Sequence, residues 1–130
     1  MVMQSTVTEA TLSRLENTAS ALLSNDSVIM NTPIITKKYQ TQDNRLVYLT
    51  ECNIAEIAVP RLRVQILERV DGGVNETSYA LYADQRFECT KNPMIFGDTS
   101  GPAETSTPTA VDEDTAEWLI QLIQSLAAYK

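Results

Sequence analysis

No histidine occurs in these 130 residues. That removes the usual general base near neutral pH, the commonest zinc ligand and every triad built on imidazole. Only four glycines are present, at 72, 73, 97 and 101, so no glycine-rich loop has the spacing that cradles a phosphate. Aromatic residues make up 6%, with a single tryptophan, Trp118. Cys52 and Cys89 are the only cysteines. They form no C-x-x-C and read as small buried residues, free thiols on neighbouring strands. No run approaches the roughly 18 apolar residues of a membrane span, so no membrane partner is expected. The opening MVMQSTVTEATL has neither a basic n-region nor an apolar h-region, and export by a signal peptide is not expected. The run Asp112-Glu113-Asp114 suits dipole complementation at a helix start better than a hard-metal site. No metal, no cofactor and no enzymatic activity are expected. Asn25-Asp26-Ser27 and Asn75-Glu76-Thr77 fit the glycosylation pattern and read as turn residues.

What is present fits one domain over residues 1–130, with apolar residues at 43% and charged residues at 21%. The net charge of -7 is unevenly placed. Residues 1–36 hold Arg14 against Glu9, Glu16 and Asp26. Residues 92–130 hold Lys130 against Asp98, Glu104, Asp112, Glu113, Asp114 and Glu117. The middle, 37–91, balances eight basic against eight acidic side chains. The acidity belongs to the ends, so an acidic whole leaves room for a basic surface in the middle.

Residues 6–24 read as a helix, with Thr6 and Glu9 at capping-box spacing and Leu12, Leu15, Ala19, Leu22 and Leu23 in one stripe. Strands follow over 28–40, 44–52, 61–70 and 77–90, within a sheet region of 28–90. Gln42-Asp43-Asn44 and Asp71-Gly72-Gly73 signal hairpins. The stretch NIAEIAVP reads as one helical turn or a tight crossover before Pro60. Residues 91–111, with three prolines and two glycines, read as a long loop or arm. Residues 112–129 read as a second helix with Asp112 as its N-cap. The fold class is α+β: an antiparallel sheet of four strands, five at most, with helices on one face. Trp118, Leu119, Leu122, Ile123 and Leu126 can face the sheet, while Ile120 and Ala127 point away from that arc. So wide an apolar arc implies a second partner, and Trp118, Ile120, Ile123 and Ala127 are the expected contacts with another copy of the chain.

The third strand poses the sharper question. In PRLRVQILERV, residues 60–70, Leu62, Val64, Ile66 and Val70 alternate with Arg61, Arg63, Gln65, Leu67 and Arg69. With the apolar set under the helices, the arginines lie on the open face, joined by Arg45, Arg86 and Lys38 from other strands. One reading is a solvated face whose arginines pair with Glu51, Glu68 or Glu88. The other is a platform that contacts phosphates of nucleic acid.

In RLRVQILERVDGGVNETSYALYADQRFECT and DEDTAEWLIQLIQSLAAY the chain resembles coat proteins of small single-stranded RNA phages. The likeness covers about 50 residues. It implies a sheet turned toward the genome and helices through which two subunits interlock. It also implies a place in the virion or in the cytoplasm of the host cell. The chain departs from that family by opening on a helix in place of a β-hairpin, by the 91–111 segment and by its charge. The functional expectation is a non-enzymatic, self-assembling, coat-like subunit with single-stranded RNA against its arginine face. The alternative is a small acidic dimeric binding module of the cytoplasm, such as a secretion-type chaperone, which would need apolar grooves on the sheet side.

Overall fold

A computed structural model describes residues 7–24, 34–52, 58–95 and 107–128. Helix α1 spans Glu9–Ser24, and five strands follow: β1 Ile34–Gln40, β2 Leu46–Cys52, β3 Leu62–Val70, β4 Gly73–Leu81 and β5 Phe87–Ile95. Short β6 Thr109–Ala110, helix α2 Glu113–Gln124 and short β7 Ala127–Ala128 complete the order. The sheet runs β6-β5-β4-β3-β2-β1-β7 with every described pairing antiparallel. The class is α+β.

Alternation along β3 places its sides as the sequence does, with Leu62, Val64 and Ile66 buried and Arg63 and Gln65 partly open. Across the ladder, Leu49, Val64 and Tyr79 stand opposite one another on the buried side. Both helices lie there. Leu12, Leu15, Ala19 and Leu23 of α1 share one apolar cluster with Ala116, Leu119, Ile120, Leu122 and Ile123 of α2 and with that face of the sheet. Helix α1 begins at Thr8, whose hydroxyl accepts from the Thr11 amide at 3.3 Å. The expected Thr6 cap lies outside the described residues. Glu113 of α2 accepts from Thr11 Oγ1 at 3.1 Å, and Arg14 pairs with Glu117 at 2.7 Å. These contacts step the same way along both helices, so the two run side by side with their N-termini together.

Several sequence expectations are corrected. First, 77–90 is not one strand: β4 ends at Leu81 and a loop at 82–86 turns the chain into β5. That loop repeats the 41–45 loop. Thr41 and Tyr82 donate to the carbonyls of Arg45 and Arg86, and Asn44 and Gln85 sit at φ 66° and 70°. A left-handed third residue is what a three-residue hairpin loop demands, and asparagine advertises it where glutamine does not. Second, 91–111 is not loop throughout, since β5 continues through Ile95 and Thr109–Ala110 pairs back onto Glu88 and Cys89, while 96–106 lie outside the described residues. Asn75 likewise sits within β4 rather than in a turn.

Third, α2 ends at Ser125, whose amide bonds back to the Gln121 and Leu122 carbonyls, and Ala127 joins β1 as a strand residue. Fourth, Ile120 and Ile123 are 2% and 1% exposed. Within the chain this wide apolar arc shares its cluster with α1, which leaves these two residues almost no surface to offer another copy. Trp118, at 40% exposure, stays on the surface, with its ring 6.4 Å from that of Tyr79.

Asp112 caps α2 by accepting from the Thr115 amide at 2.8 Å, and that hydrogen bonding holds its carboxyl below the usual value of 3.8. A carboxyl depressed on folding contributes stability above its unfolded pKa and loses it as pH falls through the folded one. Asp112→Asn keeps an acceptor but no charge. The fall in melting temperature between about pH 6 and pH 3 should be smaller in this variant than in the parent. An equal fall in both would show that the cap is not linked to acid unfolding.

The two cysteines lie on β2 and β5, with β3 and β4 between them. Three strand spacings of about 4.8 Å put them roughly 14 Å apart, beyond the reach of about 7 Å for a bridge. They are therefore not on neighbouring strands. Alkylation of the denatured chain without reductant should add two labels, read by mass spectrometry. A single bridged species would contradict the strand order.

Candidate nucleic-acid interface

The face of the sheet away from the helices carries no covering element among the described residues. The ladder fixes which side chains meet there. One row across five strands is Lys38, Tyr48, Gln65, Ser78 and Thr90, and the next is Thr36, Thr50, Arg63, Ala80 and Glu88. The hydroxyls of Thr36 and Thr50 are hydrogen-bonded at 3.1 Å. Arg69 stands further along β3, opposite Val74. The result is a lattice of hydroxyls and amides holding Lys38, Arg63 and Arg69 against Glu76 and Glu88.

The six cations expected on one face divide into two groups. Arg63 is half-buried and Arg69 exposed, and among the described residues neither has an ion-pair partner. Lys38 shares their side at the outer part of the sheet. Every described lysine, Lys37, Lys38 and Lys91, lies on β1 or β5. On their outer sides these strands carry only two-residue partners among the described residues, and lysines there also discourage stray edge pairing.

The other three are engaged elsewhere. Arg61 forms an ion pair with Glu16 of α1 and so works on the helix side. Arg45 pairs with Asp43 in its own hairpin loop at 3.0 Å. The Thr41 hydroxyl, and then Arg45, hold the Asp43 carboxyl below its ordinary value. Arg86 repeats this with Asp84 at 2.8 Å, lies 3.5 Å from Glu88 and stacks over Tyr82 at 4.3 Å. Its hydrogen bond to Asp84 is the main reason its pKa is raised. Strand parity could not reveal these partners. The Asp-x-Arg spacing, present at both 43–45 and 84–86, could have.

Two features were not singled out from the sequence. Tyr48 lies half-buried between Lys38 and Gln65, offering a ring to whatever occupies the face. Where β2 begins at Leu46 and β3 runs on past it, a groove of about 560 Å³ opens between the 41–45 loop and the β3–β4 hairpin. Leu46, Leu67 and Val74 contribute its apolar lining, Gln40 and Asn44 an amide pair at 3.0 Å, and Arg69 a cation.

The groups most displaced by burial lie on the other side. Tyr79 is pushed up to about 12, first by burial and then by neighbouring Cys89, whose own thiol burial raises. Both changes hold them protonated at neutral pH and make poor nucleophiles of them. No group of three or more acidic or cysteine side chains suited to a metal ion occurs among the described residues. No described helix is long and apolar enough to cross a membrane. No protein-family model, curated protein or solved structure matches the chain.

Proposed function

We propose that the protein is a non-enzymatic structural subunit that assembles with copies of itself and lays its open sheet face against single-stranded RNA, as in a phage or virus particle. The observation that carries this reading is the pair Arg63 and Arg69, two guanidinium groups without ion-pair partners among the described residues, on the uncovered side of a one-sided sheet. Elsewhere on the described chain every arginine has a carboxylate partner, so these are the two described guanidinium groups that no carboxylate pairs on a net acidic protein. Polar neighbours and a partly buried tyrosine suit contact with a backbone and stacking on a base. Self-assembly draws on exposed Trp118, not on the buried Ile120 and Ile123. The virion, or the host cell in which it forms, is the place such a subunit would occupy.

The apolar lining of the groove, Leu46, Leu67 and Val74, is the one feature that favours a chaperone-like binding module instead. Electron microscopy of the purified protein separates the two, with nucleic-acid absorbance measured on the same fraction. Closed particles containing nucleic acid are the expected result. A discrete nucleic-acid-free dimer that retains an unfolded peptide would favour the binding module and end the particle reading.

A further inference from the structure

We infer that Arg61 is a switch between the two sides of the sheet: it holds α1 against β2 by neutralising Glu16 and Glu51, and a polyanion on the open face draws it away. The inference rests on the nucleic-acid reading of that face.

The backbone of Arg61 still belongs to the ladder. Its amide donates to the Leu81 carbonyl at 2.7 Å, and its carbonyl accepts from Cys52 at 2.9 Å. Alternation therefore assigns its side chain to the side of Arg63, two residues and about 6.6 Å further along. The guanidinium instead meets Glu16. It is incompletely satisfied there, because its Nε is buried without an acceptor among the described residues while the side chain keeps 40% exposure.

Around it lies a polar cavity of about 200 Å³, lined also by Glu16, Ser20, Glu51 and Cys52. Ser20 donates to Glu51 at 2.5 Å. Arg61 is the only cation among the described lining residues. With it in place, one positive charge shares the cavity with a carboxylate on α1, which it pairs, and another on β2. Without it, the cavity at the place where α1 meets β2 is lined by two carboxylates and, among the described residues, no cation. Removing Arg61 from the cavity thus loses an attraction and creates a repulsion. The N-terminal half of α1 has separate anchors, since Glu113 holds Thr8 and Thr11 and Glu117 holds Arg14. Loosening should therefore be confined to the half beyond Glu16. The coupling is reciprocal, so freeing Arg61 should also favour the polyanion.

Hydrogen exchange of the full chain, with and without a single-stranded oligouridylate of about ten nucleotides, tests the switch. Amides of 16–23 should exchange several-fold faster with the oligonucleotide bound, while those of 12–14 stay unchanged. Glu16→Gln unties Arg61 without leaving two opposed carboxylates. In that variant exchange should no longer respond, and affinity should rise about two- to fivefold, the scale of one exposed ion pair. A bound oligonucleotide with unchanged exchange, or equal affinity of the variant and parent, would overturn the switch and leave the nucleic-acid reading standing. Failure of the parent to bind any oligonucleotide would overturn both.

Discussion

Ile120→Glu should abolish the cooperative thermal transition or lower its midpoint by more than about 15 °C, taking roughly 4 °C per kcal/mol for a chain of this size. Ile120 is 2% exposed and lies in the cluster that joins α1, α2 and the sheet. A carboxylate there loses the apolar transfer energy of the isoleucine and has no cation to meet. The combined cost is at least about 4 kcal/mol, comparable to the lower end of whole-domain stability. Trp118→Glu is the matched control one turn-face away. Trp118 is 40% exposed, and its loss removes an aromatic contact worth about 1 kcal/mol, so that variant should melt cooperatively. If Trp118 supports assembly, the same variant should also sediment as a smaller species. A folded Ile120→Glu protein of reduced assembly size would restore the subunit-contact role that the burial of Ile120 denies.

The contrast between these two residues shows what the sequence can and cannot convey. Helical and strand periods depend on local alternation, so the stripes of α1 and the inward side of β3 were legible, and Leu15, Ala19, Leu62 and Val64 are all buried. Which element covers a stripe is a long-range matter. Periodicity alone gives Ile120 to another subunit, because nothing local says that α1 lies beside α2. Alternation puts Val70 on the covered side, yet it is 37% exposed, because β3 outruns the part of the face that the core covers. Alanines 127 and 128 favour a helix by propensity, but pairing with Tyr39 and Gln40 overrides it. In the candidate site, parity assigned Arg63 and Arg69 their side of the sheet. It failed at Arg61, where a long side chain near the start of a strand meets a carboxylate 45 residues earlier. Pairing, which parity does not show, separates Arg63 and Arg69 from the arginines that a carboxylate already neutralises.

That distinction sets the second large effect. Arg63→Gln with Arg69→Gln should weaken binding to single-stranded RNA and reduce the magnitude of its salt slope by about 1.4, at roughly 0.7 per lost phosphate contact. Because the slope reports released counterions, the difference from the parent should be largest at low salt and shrink as salt rises. Neither arginine has an ion pair to lose among the described residues, so stability should change by no more than about 0.5 kcal/mol, checked by a melt. Arg45→Gln with Arg86→Gln removes the same formal charge from residues already neutralised by Asp43 and Asp84. A smaller change in slope is therefore expected from that pair. Anisotropy titrations of one labelled oligonucleotide across a salt series measure both variants. If the two pairs alter the slope equally, only net charge matters and Arg63 and Arg69 are not a site. If neither alters it, the open face is a solvated surface and RNA is not what meets it.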